Sequence, residues 1–155
     1  MKRILITGMS GTGKSTVIER MATRGYKAQD VDQPGWSLTA SDGDWIWNEE
    51  RVHALLNTED ADVLFVSGCA ENQVRFHPQF DLIILLSAPA EVIIERLNTR
   101  TNNHYGKDPA EQADVLHYLE TIEPRLRQVV GHEIDTTVPL DAVVEEIVRL
   151  AEVCE

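Results

Sequence analysis

Cysteine is scarce: Cys69 and Cys154 are the whole supply in 155 residues, and they lie far apart. That excludes a disulfide framework and makes a reducing cytosol the expected setting. Basic residues are also few, 14 against 26 acidic ones, for a net charge of −12. A surface of that sign repels a polyanion, so no nucleic-acid polymer is expected as a partner. The positive charge that exists must gather where phosphate is held. No apolar run approaches a membrane span, so no membrane is expected either. Met1-Lys2-Arg3 has the basic start of an export signal, but the apolar run behind it is a few residues long and reads as a first strand. His53, His77, His104, His117 and His132 lack metal-ligand spacing. What remains is 43% hydrophobic residues, a globular composition, and a length that predicts one domain over 1–155. Monomer and homodimer both stay open.

Against that background one stretch stands out. Gly8-Met9-Ser10-Gly11-Thr12-Gly13-Lys14-Ser15, followed by Thr16, fits the Walker A pattern G-x-x-x-x-G-K-[ST]. Arg3-Ile4-Leu5-Ile6-Thr7 ahead of it reads as a strand, and Lys14 to Arg24, without Pro or Gly, as a helix. That is the strand–loop–helix context the motif requires. Gly8, Gly11 and Gly13 permit backbone angles that turn several N–H groups inward as an anion nest. The helix behind adds the positive end of its dipole, about half an elementary charge. Lys14 is expected to reach the β- and γ-phosphates, Ser15 to sit on Mg²⁺, and Thr16 to bond an inner phosphate.

The rest alternates. Tyr26 to Asp32 reads as a second strand, broken by Gln33-Pro34-Gly35. A loop with Ser41-Asp42-Gly43-Asp44 precedes a predicted helix from Trp45 to Asn57, with Ile46, Val52, Leu55 and Leu56 as its buried stripe. Asp62 to Gly68 is a third strand, too apolar to alternate and so buried on both faces. Cys69 to Phe80 is a loop or short helix. Leu82 to Leu86 is a fourth strand, and Pro89 to Thr101 a helix. A polar loop with Asn102-Asn103 and Gly106 follows. Pro109 opens a helix to about Val130 with a break at Pro124. His132 to Thr136 is a weak fifth strand, and Leu140 to Val153 a final helix. Strands alternating with helices predict an α/β fold, a parallel sheet with helices on both faces and ligands at the strands' carboxyl ends.

Magnesium between phosphates calls for a carboxylate at such an end. Asp62 and Asp81 open their strands and lie at the wrong edge. The third strand ends Val66-Ser67-Gly68 without an acid, which disfavours an ordinary AAA-type ATPase. Asp30 and Asp32 close the second strand, and both are candidates; Asp32 is also a predicted metal residue. Asp32-Gln33-Pro34-Gly35 fits the D-x-x-G of G proteins, but no N-K-x-D accompanies it.

These residues resemble the small P-loop kinases: shikimate, gluconate and nucleoside monophosphate kinases, and above all uncharacterised bacterial ATP-binding, kinase-like proteins. The resemblance rests on Gly8 to Thr16; on Asp30-x-Asp32, similar to a shikimate-kinase D-x-D; on Ser87 to Glu91 with Arg96 and Arg100; on Tyr118 with Thr121 to Pro124; and on Ile134-Asp135-Thr136. It implies a three-layer fold, a five-stranded parallel sheet in the order 2-3-1-4-5, and a lid over about 100–109. It implies ATP and Mg²⁺ as cofactors, a cytoplasmic phosphotransferase, and a small-molecule or nucleotide acceptor. Asp30 or Asp32 would meet the acceptor hydroxyl, Arg96, Arg100 and Arg125 would clamp charge, and Asp135 and Thr136 would lie against adenine. Solvated helix-surface arginines are the plain alternative. The acceptor half departs from every subfamily: the shikimate-kinase F-R pair is absent, and Arg51 is a loose stand-in. Trp36, Trp45 and Trp47 fall near that half, as packing or as a stacking surface. The alternative activity is a nucleotide-binding module or slow ATPase acting as a conformational switch.

Overall fold

β1 (Lys2–Thr7) is the central strand of a five-stranded parallel sheet in a computed structural model that describes residues 1–43, 45–101 and 104–154. Asp44, Asn102 and Asn103, assigned above to loops, lie outside the described residues. β1 pairs with β5 (Val63–Ser67) on one side and β6 (Leu82–Ser87) on the other. β2 (Lys27–Asp30) and β7 (His132–Asp135) form the edges. The order is β2-β5-β1-β6-β7. Among main-sheet strands that is the expected 2-3-1-4-5, once a small hairpin absent from the sequence reading is counted.

Alternation along β1 shows why both faces are covered. Ile4 and Ile6 pack with Val17 and Met21 of α1 (Lys14–Thr23) and with Val144 and Ile147 of α6 (Leu140–Val153). Leu5 packs on the other face with Val52 and Leu56 of α2 (Glu49–Leu56), and with Phe76 in a 3₁₀ helix (Glu71–Gln79). Successive strand residues point to opposite faces, so a strand buried on both sides must be apolar throughout.

The largest correction concerns Trp45 to Asn57. Only Glu49–Leu56 is helical. Trp45–Trp47 is a strand, β4, antiparallel to β3 (Ser37–Thr39). Two tryptophans around an isoleucine favour a pleated surface over a helix. Asn48 then starts α2, its side chain accepting from the Arg51 N–H at 3.2 Å. Val52 and Leu56 are buried as expected, while Ile46 belongs to the hairpin. Smaller shifts follow from caps. β2 ends at Asp30, so Asp32 lies beyond it. Pro89 precedes α3 (Ala90–Thr99) instead of opening it. The predicted Pro109–Val130 helix is two, α4 (Pro109–Thr121) and α5 (Glu123–Val129), with Pro124 in the first turn of α5, where a missing N–H costs nothing.

Candidate functional site

The phosphate loop joins β1 to α1 at the carboxyl edge of the sheet. Gly8 has φ +152°, and a Cβ there would stand 2.5 Å from the Leu86 carbonyl oxygen. Gly11, at φ +85°, would meet Ile93 of α3 at 2.9 Å. These glycines are required because β6 and α3 press against the loop from behind. Thr12 is buried and donates to the Met9 carbonyl at 2.7 Å. Lys14 Nζ curls over the loop, 2.6 Å from the Gly8 oxygen and 3.1 Å from that of Met9. Ser10 is half-buried in the loop, and Thr16 is exposed in the first turn of α1.

Both predicted acids stand beside this loop, and their surroundings differ. Asp30 Oδ2 is 3.4 Å from the Ser15 hydroxyl, and its Oδ1 accepts the Asp32 N–H at 2.9 Å. Asp32 turns the other way. Its Oδ1 accepts from Trp47 Nε1 at 3.0 Å, and its Oδ2 from the Cys69 N–H at 2.9 Å. Burial raises the Asp32 carboxyl above the usual carboxylate value, while Lys14 and the two N–H donors pull it back. Among the described residues, the charges acting on it are Lys14 and Asp30. Burial also pushes the Cys69 thiol up, as suits a packing residue and not a nucleophile.

Ser67, where β5 ends, has a buried hydroxyl without a hydrogen-bond partner among the described residues. It is the register partner of Asp30. Neighbouring residues in a parallel pair share a face, so the Ser67 hydroxyl lies on the side of Asp30. Sequence reading passed over it because it sought an acid there. Asp62 and Asp81 sit at the opposite edge, where Asp62 accepts from the Lys2 N–H through its carbonyl and Asp81 from the Arg3 N–H through its carboxylate.

The predicted arginines divide. Arg96 reaches the back of the phosphate loop, donating to the Gly11 carbonyl at 3.2 Å, the Thr136 hydroxyl at 2.8 Å and the Thr136 carbonyl at 2.6 Å. Thr136 is buried, and its hydroxyl lies 2.8 Å from the Thr12 carbonyl. Arg96 and Thr136 therefore fasten the loop to the end of β7. Asp135 is exposed and accepts from both the N–H and the hydroxyl of Thr137, which holds its pKa down. Arg100 ends α3 and donates to the Tyr105 carbonyl at 2.5 Å. Lys107 caps α3 through the carbonyls of Leu97 and Asn98. Arg125 is exposed on α5. Arg51 stacks on Trp36, its guanidinium carbon 4.1 Å from the ring centroid.

Comparison with known proteins agrees with this fold. A family model described as an AAA domain matches residues 4–117. The chain is 29% identical over 149 residues to a protein of Archaeoglobus fulgidus provisionally named an adenylate kinase, covering 93% of this chain and 79% of that one. It is 28% identical over 166 residues to shikimate kinase 2 of Yersinia enterocolitica, covering 95% and 94%. A shikimate kinase from Acinetobacter baumannii, solved in complex with shikimate, superposes with a TM-score of 0.68 at 21% identity, covering 97% of this chain and 92% of that one. The fold is that of the small phosphate-loop kinases. The AAA description goes with a β5 end that reads Ser67-Gly68, without the acid expected of an ordinary AAA-type ATPase.

Proposed function

We propose, from the premise that this chain belongs to the AAA-domain family of phosphate-loop proteins and is a small-molecule or nucleotide kinase, that it moves the γ-phosphate of ATP to an acceptor hydroxyl. The observation that carries this is the pair Asp30 and Asp32 beside Lys14. Asp30 leans on Ser15 of the phosphate loop, while Asp32 is tied to the hairpin and to Cys69. An acceptor bringing a phosphate dianion would meet two carboxylates at that point. An acceptor bringing a hydroxyl would meet a base.

In this reading the loop N–H groups of Gly8 to Ser15 hold the phosphates, and Thr16 bonds an inner one. Lys14 leaves its carbonyl partners to lie along the β- and γ-phosphates. The donor set suits Mg²⁺ bound chiefly by phosphate and water: the Ser15 hydroxyl and Asp30 Oδ2 meet there, and the Ser67 hydroxyl, without a partner among the described residues, lies on the same face. Among the described residues no cluster of three His, Cys, Asp or Glu side chains stands ready to bind a metal alone, and magnesium keeps several waters in such sites. When bound, it would neutralise charge on the transferred group. Of the two acids that the sequence leaves open, Asp30 takes the metal side in place of Asp32. Asp32 takes the acceptor proton. Arg96 and Thr136 position the loop, with Asp135 beside the adenine path. The segment 100–109, of which 102 and 103 lie outside the described residues, would serve as the lid of a single domain and carry Arg100 toward the phosphates, with Arg125 as a further charge clamp.

The test is ADP release from ATP and Mg²⁺ against a panel of metabolites and nucleoside monophosphates. Stimulation by an acceptor supports transfer. Basal hydrolysis alone, with no acceptor effect, supports a nucleotide-binding module.

A further inference from the structure

Each of the two groups that donate to the Asp32 carboxylate is held in turn by one of two consecutive amide side chains. The first donor is the indole of Trp47. β3 pairs along one edge of β4, and on the other edge the Asn72 side chain replaces a third strand. Its Oδ1 accepts the Trp47 N–H at 3.0 Å, and its Nδ2 donates to the Trp47 carbonyl at 3.0 Å. One amide thus satisfies both backbone groups that a neighbouring strand would have taken. The same Nδ2 donates to Glu49 Oε2 at 3.1 Å, at the start of α2. A lone two-stranded hairpin is marginal in water, so the grip of this one on Asp32 depends on the Asn72 clamp.

The second donor is the Cys69 N–H. The next N–H, that of Ala70, donates to Gln73 Oε1 at 3.0 Å. Gln73 is buried. With Oε1 committed as an acceptor, its Nε2 is the donor end. It reaches the Thr7 hydroxyl at 3.3 Å, where β1 runs into the phosphate loop, and His77 Nε2 at 3.2 Å. Gln73 therefore ties the turn that holds Asp32 to the strand that carries the loop.

Resting on the phosphotransfer reading above, we infer that Asn72 and Gln73 are positioning residues that aim the Asp32 carboxylate at the acceptor. Asn72 acts through Trp47, and Gln73 acts through the Cys69–Ala70 turn. Together they set the separation of the acid from the phosphate loop before either ligand binds. A misplacement of about 1 Å at a reacting group can cost about a hundredfold in rate.

Hydrogen exchange of the full chain, followed by NMR, tests this without an acceptor. The β1 amides report global stability. Beyond any change at those amides, Asn72→Ala should speed exchange of the Trp47 indole N–H about tenfold, and Gln73→Met should do the same at the Cys69 N–H. Turnover supplies the second readout, with ATP, Mg²⁺ and the acceptor that stimulates ADP release. Each variant should lower kcat about tenfold or more and leave the Kd for ATP within about threefold of the parent. A variant that fails to fold by circular dichroism is replaced by Asn72→Asp or Gln73→Glu. These keep the volume and the acceptor oxygen, lose the amide donor, and must shift both readouts in the same direction. Acceleration no greater at Trp47 and Cys69 than at β1, or a kcat within about twofold of the parent, overturns the inference and leaves phosphotransfer standing. No stimulation by any acceptor, with ATP still bound, overturns both.

Discussion

The indole nitrogen of Trp47 lies 3.0 Å from Asp32 Oδ1, and the ring that carries it is wholly buried against Phe76. The carboxylate beside the phosphate loop is thereby held by a side chain from a different element, with Gly68 leaving the space between them. A Cβ at Gly68 would stand 2.8 Å from Asp32 Oδ1 and 3.0 Å from the Trp47 ring. Replacing Trp47 with Phe removes the donor and part of the core volume. We expect a loss of about 2–4 kcal/mol in denaturant unfolding.

Asp32 should make stability depend on pH in a direction opposite to that of a salt-bridged acid. Its folded pKa is raised from 3.8, so between that value and the folded pKa the native state binds more protons than the unfolded chain. Stability then falls as pH rises through this window. Asp32→Asn should flatten that slope, which unfolding midpoints taken from acid to neutral pH would reveal. A slope identical in parent and variant would refute it.

Ser67→Ala offers a second contrast. Removing a buried hydroxyl that has no partner among the described residues should cost less than about 1 kcal/mol, or stabilise slightly, in the nucleotide-free protein. With Ser67 as an outer contact of the metal's water shell, as the proposed function has it, the same change is expected to raise the Mg²⁺ concentration needed for tight ATP binding severalfold. Titration calorimetry at graded Mg²⁺ measures this independently of turnover.

Thr136→Val tests the fastening behind the loop. It deletes the hydroxyl that touches the Thr12 carbonyl and Arg96. We expect about 1–3 kcal/mol lost in stability and a several-fold weaker ATP affinity, with Arg96→Ala acting on the same contacts and the pair of changes adding less than their sum.

Gly8→Ala should be far more severe. The new methyl meets a backbone carbonyl in β6 that cannot swing away. We expect nucleotide binding to be lost, together with several kcal/mol of stability, about 2–4 by analogy with overpacked cores and disallowed backbone angles. A well-folded variant with parental ATP affinity would contradict the close approach described for this loop.

The sequence by itself determined what local rules control. The Walker A loop and its flanking strand and helix follow from residue type and hydrophobic period; right-handed crossovers leave a few topologies, and the order of the five parallel strands is what the resemblance to the small P-loop kinases implies. Asp30 and Asp32 were legible as acids at a strand's carboxyl end, and Asp62 and Asp81 as acids at the wrong one. Only the tertiary structure decided how Asp30 and Asp32 divide, because that division depends on Ser15 from one element and Trp47 from another. It decided that Arg96 serves the loop's rear, since its partners Gly11 and Thr136 come together only when β1 and β6 lie side by side with β7 beyond. The hairpin was invisible for the same reason: three-residue strands are stabilised by each other and by the surface they cover, and no periodicity within Trp45-Ile46-Trp47 announces a partner at Ser37.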